Sequence, residues 1–197
     1  MPVYNIDITR NMIDECLNFA HEIILGRNQY DRMMPVYAQG NTDLQIRIRI
    51  MRTFVGKLGE LCFSKFLHDR NIEHSTDGMF DIYEGQANID EFDFVTLDRR
   101  TIDIKTAVFS NHTRLVVPLD QLLNIPKDFY VGIKLTINLD DNLYENLDPY
   151  SIDNAVLWGY CTYADLENSS IQHLGEYPCK YISSRQLRNI DELISII

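Results

Sequence analysis

The stretch from Glu91 to Thr106, Glu-Phe-Asp-Phe-Val-Thr-Leu-Asp-Arg-Arg-Thr-Ile-Asp-Ile-Lys-Thr, narrows most what this chain can fold into. Two alternating runs flank a charged break, which is the pattern of a β-hairpin. Strand side chains alternate between faces, so Phe92 and Phe94 with Ile102 and Ile104 form an apolar side, while Asp93 and Val95 with Asp103 and Lys105 occupy the other. With Asp98-Arg99-Arg100 as the turn, Leu97 faces Thr101, Val95 faces Asp103 and Asp93 faces Lys105. One face is therefore core, and the other gathers two carboxylates and an ammonium.

Two carboxylates a few ångströms apart repel unless a hard cation stands between them. Oxygen ligands at that spacing suit Mg²⁺, which keeps several waters and is completed by substrate phosphate. Such a metal lowers the pKa of a bound water and neutralises charge developing on a phosphoryl group. A neighbouring Lys adds a compact cation that can hold the attacking water and contact the phosphate. Asp93, Asp103 and Lys105 thus read as a metal-dependent phosphodiesterase site. An Asp-x-Lys triplet alone is ordinary on any exposed strand, so the weight rests on its context.

A third carboxylate lies upstream. From Phe54 to Leu67 the spacing is helical, with Val55, Gly59, Cys62, Phe63, Phe66 and Leu67 on an apolar arc and Lys57, Ser64, Lys65 and His68 on the other side. Glu60 falls at the edge of that arc, in line with Gly56, Phe63 and Leu67. A carboxylate facing the body of the protein needs a cation, a metal or hydrogen-bond donors. Gly56 and Gly59 cost helix stability and point to another backbone approaching closely.

A helix carrying Gly-Glu-Leu-Cys-Phe-Ser-Lys-Phe-Leu, then Asp93, then Ile-Asp-Ile-Lys-Thr at 102 to 106, resembles the PD-(D/E)xK nuclease superfamily, which includes many restriction endonucleases. The resemblance covers residues 54 to 107 and rests on the order and spacing of short motifs. It implies that Asp93 and Asp103 bind Mg²⁺, with Mn²⁺ able to replace it, that Lys105 assists the attacking water, and that Glu60 supports the metal site. It further implies DNA as substrate, an endonuclease of restriction or phage type, a restriction-endonuclease-like core and, by analogy with restriction enzymes, a homodimer. Phe92 stands where the family has Pro, which leaves Asp81, in Phe80-Asp81-Ile82-Tyr83, as a rival first ligand and Glu91 as a weaker one.

The chain of 197 residues is long enough to bury a core, and its 45% hydrophobic content is that of a globular domain, so a single domain over residues 1 to 197 is expected. Cys16, Cys62, Cys161 and Cys179 are widely spaced without a C-x-x-C pair, which suits packing thiols in a reducing, cytoplasmic setting. Neither a leader pattern nor a membrane-length apolar stretch is seen. The net charge of −11, from 18 basic and 29 acidic residues, opposes nucleic-acid binding unless positive charge is concentrated locally. Arg47, Arg49 and Arg52 before Glu60, Arg99 and Arg100 at the hairpin turn, and Arg114 after Lys105 could supply it. A non-catalytic nuclease-fold protein that binds nucleic acid or a protein partner, and an acidic interaction protein, are the alternatives. The five histidines form no i, i+4 pair or H-E-x-x-H pattern and read as surface or packing residues, with His112 nearest the Lys105 strand. Gly-x-Ser-x-Gly and phosphate-loop motifs are absent from the sequence.

The rest supplies a scaffold. Residues 8 to 24 predict an amphipathic helix capped at Thr9, and residues 26 to 40 a loop. Thr42 with Gln45 predicts a capping box for a second helix, despite the alternation of Ile46 to Ile50. Strands are expected at 115 to 118, 128 to 137 and 155 to 161, short helices at 119 to 123 and 163 to 167, a longer helix at 184 to 196, and a loop at 140 to 153. Mixed in this order, the elements imply an α/β fold with a mixed central β-sheet flanked by helices.

Overall fold

A computed structural model describes residues 3–26, 34–82, 92–137, 143–174 and 177–197. Its first strand, β1 (Tyr4–Asp7), leads into helix α1 (Arg10–His21), whose cap is Thr9: the threonine hydroxyl accepts the Met12 N–H at 3.4 Å. A π-helical turn, Glu22–Gly26, extends α1. Helix α2 then runs unbroken over Thr42–His68, so the second helix and the Glu60 helix are one element. Its N-cap is Asn41, which accepts the Leu44 N–H at 3.1 Å, not Thr42 as the capping-box spacing suggests. Gln45 instead donates to Ala38 O at 3.0 Å, tying the helix start to the preceding loop. Ile46 to Ile50 is helical because Ile48 and Ile50 are buried on two different sides of α2, which imitates strand alternation.

The remaining elements are β2 (Phe94–Val95), β3 (Thr101–Ala107), β4 (Arg114–Pro118), α3 (Leu119–Asn124), β5 (Phe129–Thr136), β6 (Asn154–Thr162), α4 (Tyr163–Glu167), β7 (Gln172–Leu174), β8 (Tyr177–Ser183) and α5 (Ile190–Ile194). A five-stranded sheet has the order β1-β6-β5-β3-β2, with β3 and β5 parallel and the other pairs antiparallel. The chain is thus mixed α/β, with a mixed sheet flanked by helices. A smaller sheet, β4-β8-β7, covers the second side. Sequence periodicity misses β1 and β7, which are short, and also β8, and merges the 3₁₀ turn Ser184–Gln186 with the short α5 into one long helix. No helix among the described residues is long and apolar enough to cross a membrane.

The two sides of β3 and β5 face two apolar clusters. Ile102, Ile104, Val131 and Ile133 pack toward α1 and α2, where Phe63 meets Phe94 edge-on at 5.0 Å. Tyr130 and Cys161 face the other way, with Leu115, Val117, Leu122, Leu166 and Leu187. Helix α2 comes down on β3 at Gly59: a Cβ there would stand 1.8 Å from Thr106 Oγ1. The expected close approach is therefore real at Gly59, but it is made by a side chain, and Gly56 meets nothing.

The hairpin carries a correction. The pairs are Phe94 with Ile102 and Val95 with Thr101, two residues out of the expected register. Its loop is Leu97-Asp98-Arg99: Thr96 N–H bonds Arg100 O at 2.9 Å and Arg99 N–H bonds Thr96 O at 2.8 Å, with Arg99 left-handed at φ 66°. A turn followed by a left-handed residue is the usual three-residue hairpin loop. Thr96 fixes it, its buried hydroxyl accepting the Arg100 N–H at 2.9 Å and donating to the Asp98 carboxylate. Val95 is consequently not opposite Asp103, and Asp93 is not opposite Lys105.

Candidate active site

Strand β3 places Asp103 and Lys105 on the side away from α2, as their alternation with Ile102 and Ile104 requires. The Lys105 ammonium lies 2.5 Å from Asp103 Oδ2 and donates to Gln121 Oε1 on α3 at 2.9 Å. The Asp103 contact falls outside hydrogen-bonding angles, so this buried oxygen has an ion-pair partner but, among the described residues, no hydrogen bond. The ammonium is thus fixed between a charged and a neutral acceptor.

Asp93 sits just before the two-residue β2, at the sheet edge. Its N–H donates to Ile102 O at 3.0 Å, and its Oδ2 accepts the Ile104 N–H at 2.6 Å. The carboxylate therefore stands where the next carbonyl of a longer edge strand would have been, satisfying an amide that β2 is too short to reach. Burial, followed by the neighbouring Glu60 and Asp103 charges, pushes the Asp93 carboxyl well above the usual range, against the opposing pull of the Ile104 amide and Lys105. Among the described residues no Lys or Arg forms an ion pair with Asp93.

Glu60 reaches the same region from α2. It lines, with Asp93, His74, Asp77, Phe92 and Val95, a cleft of about 150 Å³. Its Oε2 lies 2.5 Å from Lys57 Nζ. Lys57 is a further correction: helical spacing puts it on the polar side, yet it is buried at 7% exposure, its ammonium over the rings of Phe19 at 5.0 Å and Phe80 at 5.9 Å. Ser64 is buried too, its Oγ 2.8 Å from His74 Nε2. Helix α2 is enclosed by α1 and the 72–80 segment as well as by the sheet, which a single-face reading does not anticipate.

The His74 Nδ1–H donates to Ile72 O at 2.9 Å, which turns Nε2 to the Ser64 hydroxyl. Lys57, His74 and Gln121 all escape sequence reasoning, because each is linked to the site only through contacts distant in sequence. Asp81, the rival ligand, is exposed after the Gly78 turn, with its N–H on Gly78 O at 2.9 Å. Glu91 lies outside the described residues. His112 packs edge-on against Phe109 at 5.1 Å, and burial with the nearby Lys134 pushes its pKa down to about 4.

Three of the arginines expected to supply positive charge are each drawn to a different partner. Arg100 Nε bonds Asp98 at 2.8 Å, Arg52 lies 5.2 Å over Tyr144, and Arg114 lies 4.5 Å over Tyr181.

Asp93, with Glu60 and Asp103 near enough for their charges to act on it, brings carboxylates of a kind that suits a hard divalent cation. The cleft has room for about five waters at roughly 30 Å³ each, enough for a partly hydrated ion. Among the described residues no three His, Cys, Asp or Glu side chains already converge as ligands, since Glu60 is turned to Lys57 and Asp93 to Ile104. No protein-family model, curated protein or solved structure matches the chain.

Proposed function

We propose that this protein is a divalent-metal-dependent nuclease hydrolysing DNA phosphodiester bonds, an endonuclease of restriction or phage type on a PD-(D/E)xK, restriction-endonuclease-like core. The observation that carries the reading is Lys105, held between Asp103 and Gln121 on the strand whose edge Asp93 closes, while Asp93 itself lines a cleft with Glu60 of α2. Asp93, Asp103 and Glu60 would hold Mg²⁺ or Mn²⁺. When bound, the ion would supply a water of lowered pKa and charge neutralisation at the phosphoryl group. Lys105 donates to the attacking water or a phosphate oxygen, and its fixed position means little reorganisation is needed as charge develops. Lys57, 2.5 Å from Glu60 Oε2, orients that carboxylate inside the protein. Asp93, which now accepts the Ile104 N–H, would turn from that amide to hold the cation.

The test is cleavage of plasmid, linear and single-stranded DNA with Mg²⁺, Mn²⁺, Ca²⁺ or EDTA. Cutting is expected with Mg²⁺ or Mn²⁺ only, and Lys105→Ala is expected to lower kcat by about 10²–10³, as loss of one transition-state donor does. Wild-type protein that leaves every substrate intact with both metals overturns the reading. The net charge of −11 favours the second reading, a non-catalytic acidic interaction protein, for which Lys105→Ala and Asp103→Asn leave metal and nucleic-acid binding unchanged.

A further inference from the structure

We infer that the cleft beside Asp93 takes an unpaired nucleotide of single-stranded DNA in preference to an intact duplex; the inference rests on the nuclease reading and names its substrate class. Phe92 is 40% exposed and Val95 42% exposed, and both line the cleft that Glu60 and Asp93 enter. Leu97, on the turn of the same hairpin, is 85% exposed. Single exposed apolar residues need no explanation, but three within six residues, beside the half-buried Asp93 and Glu60 carboxylates, make a patch. An aromatic ring at the mouth of a polar cleft is the element on which bases of any sequence stack.

The charge distribution points the same way. Duplex binding depends on many Lys and Arg side chains neutralising phosphates on two strands. Here Lys57 is paired with Glu60, Lys65 with Asp69, Arg100 with Asp98, Lys105 with Asp103 and Arg188 with Asp165, in a chain of net charge −11. Arg100, on the hairpin that bears the patch, is also drawn over Phe129 at 4.8 Å. Stacking needs few cations, and a single strand presents its bases directly. The cleft, at about 150 Å³, admits one flat group and its waters and is far too small for a double helix.

The deciding experiment is fluorescence anisotropy of a labelled oligonucleotide, alone and annealed to its complement, with wild-type protein in Ca²⁺. Phe92→Ala, Phe92→Leu and Phe92→Tyr are titrated alongside, with a thermal melt for each. The single strand is expected to bind at least about tenfold more tightly than the duplex, and Phe92→Ala to weaken it by about tenfold, the effect of losing one stacked base. Phe92→Tyr is expected to retain binding. Should Phe92→Ala fail to fold, the contrast between the Leu and Tyr variants decides the same point. Equal or tighter duplex binding, no binding of either form, or indifference to the ring overturns the inference. Cleavage in Mg²⁺ is scored separately. Single-strand binding without cutting removes the nuclease reading and keeps this one, whereas cutting of duplex without single-strand preference does the reverse.

Discussion

Replacing Asp93 by Asn is expected to stabilise the metal-free protein at about pH 8. The Asp93 carboxyl is held well above its ordinary value of 3.8 by burial and by Glu60 and Asp103, so above that ordinary value ionisation favours the unfolded chain over the fold. The sign follows from linkage. Between the unfolded and folded pKa values the native state binds more protons, so stability is greatest at and below about pH 3.8 and falls as pH rises through the folded value. Each unit of upward displacement corresponds to about 1.4 kcal/mol lost above that range. Asparagine removes this penalty while its amide oxygen still accepts the Ile104 N–H, now bonded to Asp93 Oδ2 at 2.6 Å. The exchange of a charged for a neutral acceptor costs about 1 kcal/mol, less than the penalty removed. For a chain of this size each kcal/mol gained raises Tm by about 2–4 °C. Thermal melts of both proteins from about pH 4 to pH 8 in EDTA should show a gap in favour of the variant that opens with pH and closes on acidification. A variant no more stable than wild type at about pH 8, or a gap independent of pH, refutes the reasoning. Adding Mg²⁺ should stabilise only wild type, by about 2.7 kcal/mol at a hundredfold excess over Kd.

Glu60→Gln should abolish the Mg²⁺-dependent gain in Tm and also destabilise the fold by on the order of 3 kcal/mol, because it removes the carboxylate beside the buried Lys57 ammonium. Adding Lys57→Met should recover the stability and leave the metal response lost, as melts with and without Mg²⁺ will show. Gly59→Ala should lower stability by about 1–3 kcal/mol in urea unfolding, since overpacking outweighs the ordinary helical benefit of alanine. The new methyl would lie 1.8 Å from Thr106 Oγ1, and Thr106→Ala should return part of the loss. Asn41→Ala should cost about 1 kcal/mol through the lost cap on Leu44, whereas Thr42→Ala should cost much less.

Local pattern was enough for the strongest elements. The apolar spacing of α1 with its Thr9 cap, the alternation along β3, and the apolar runs that become β5 and β6 are visible in the chain because burial on one or two faces writes a period into the residues themselves. The candidate residues Glu60, Asp93, Asp103 and Lys105 were legible for the same reason, as charges set at defined places in those periods. What pattern could not supply was register and partnership. The hairpin slipped by two residues because Thr96 and Asp98 close a loop one residue earlier than the run of charges suggests, and no periodicity reports a side-chain bond across a turn. Lys57 looked solvated on a helical wheel and is buried, because α1 and Phe80 cover a side of α2 that a wheel assigns to water. Gln121 became the second partner of Lys105, and His74 a wall of the cleft, only when α3 and the 72–80 segment folded back onto the site. The sequence by itself determined which segments are strands and helices and which carboxylates and lysine lie on them. Tertiary structure decided which charges meet, because distance and burial, on which every pair interaction depends, exist only once separate elements pack.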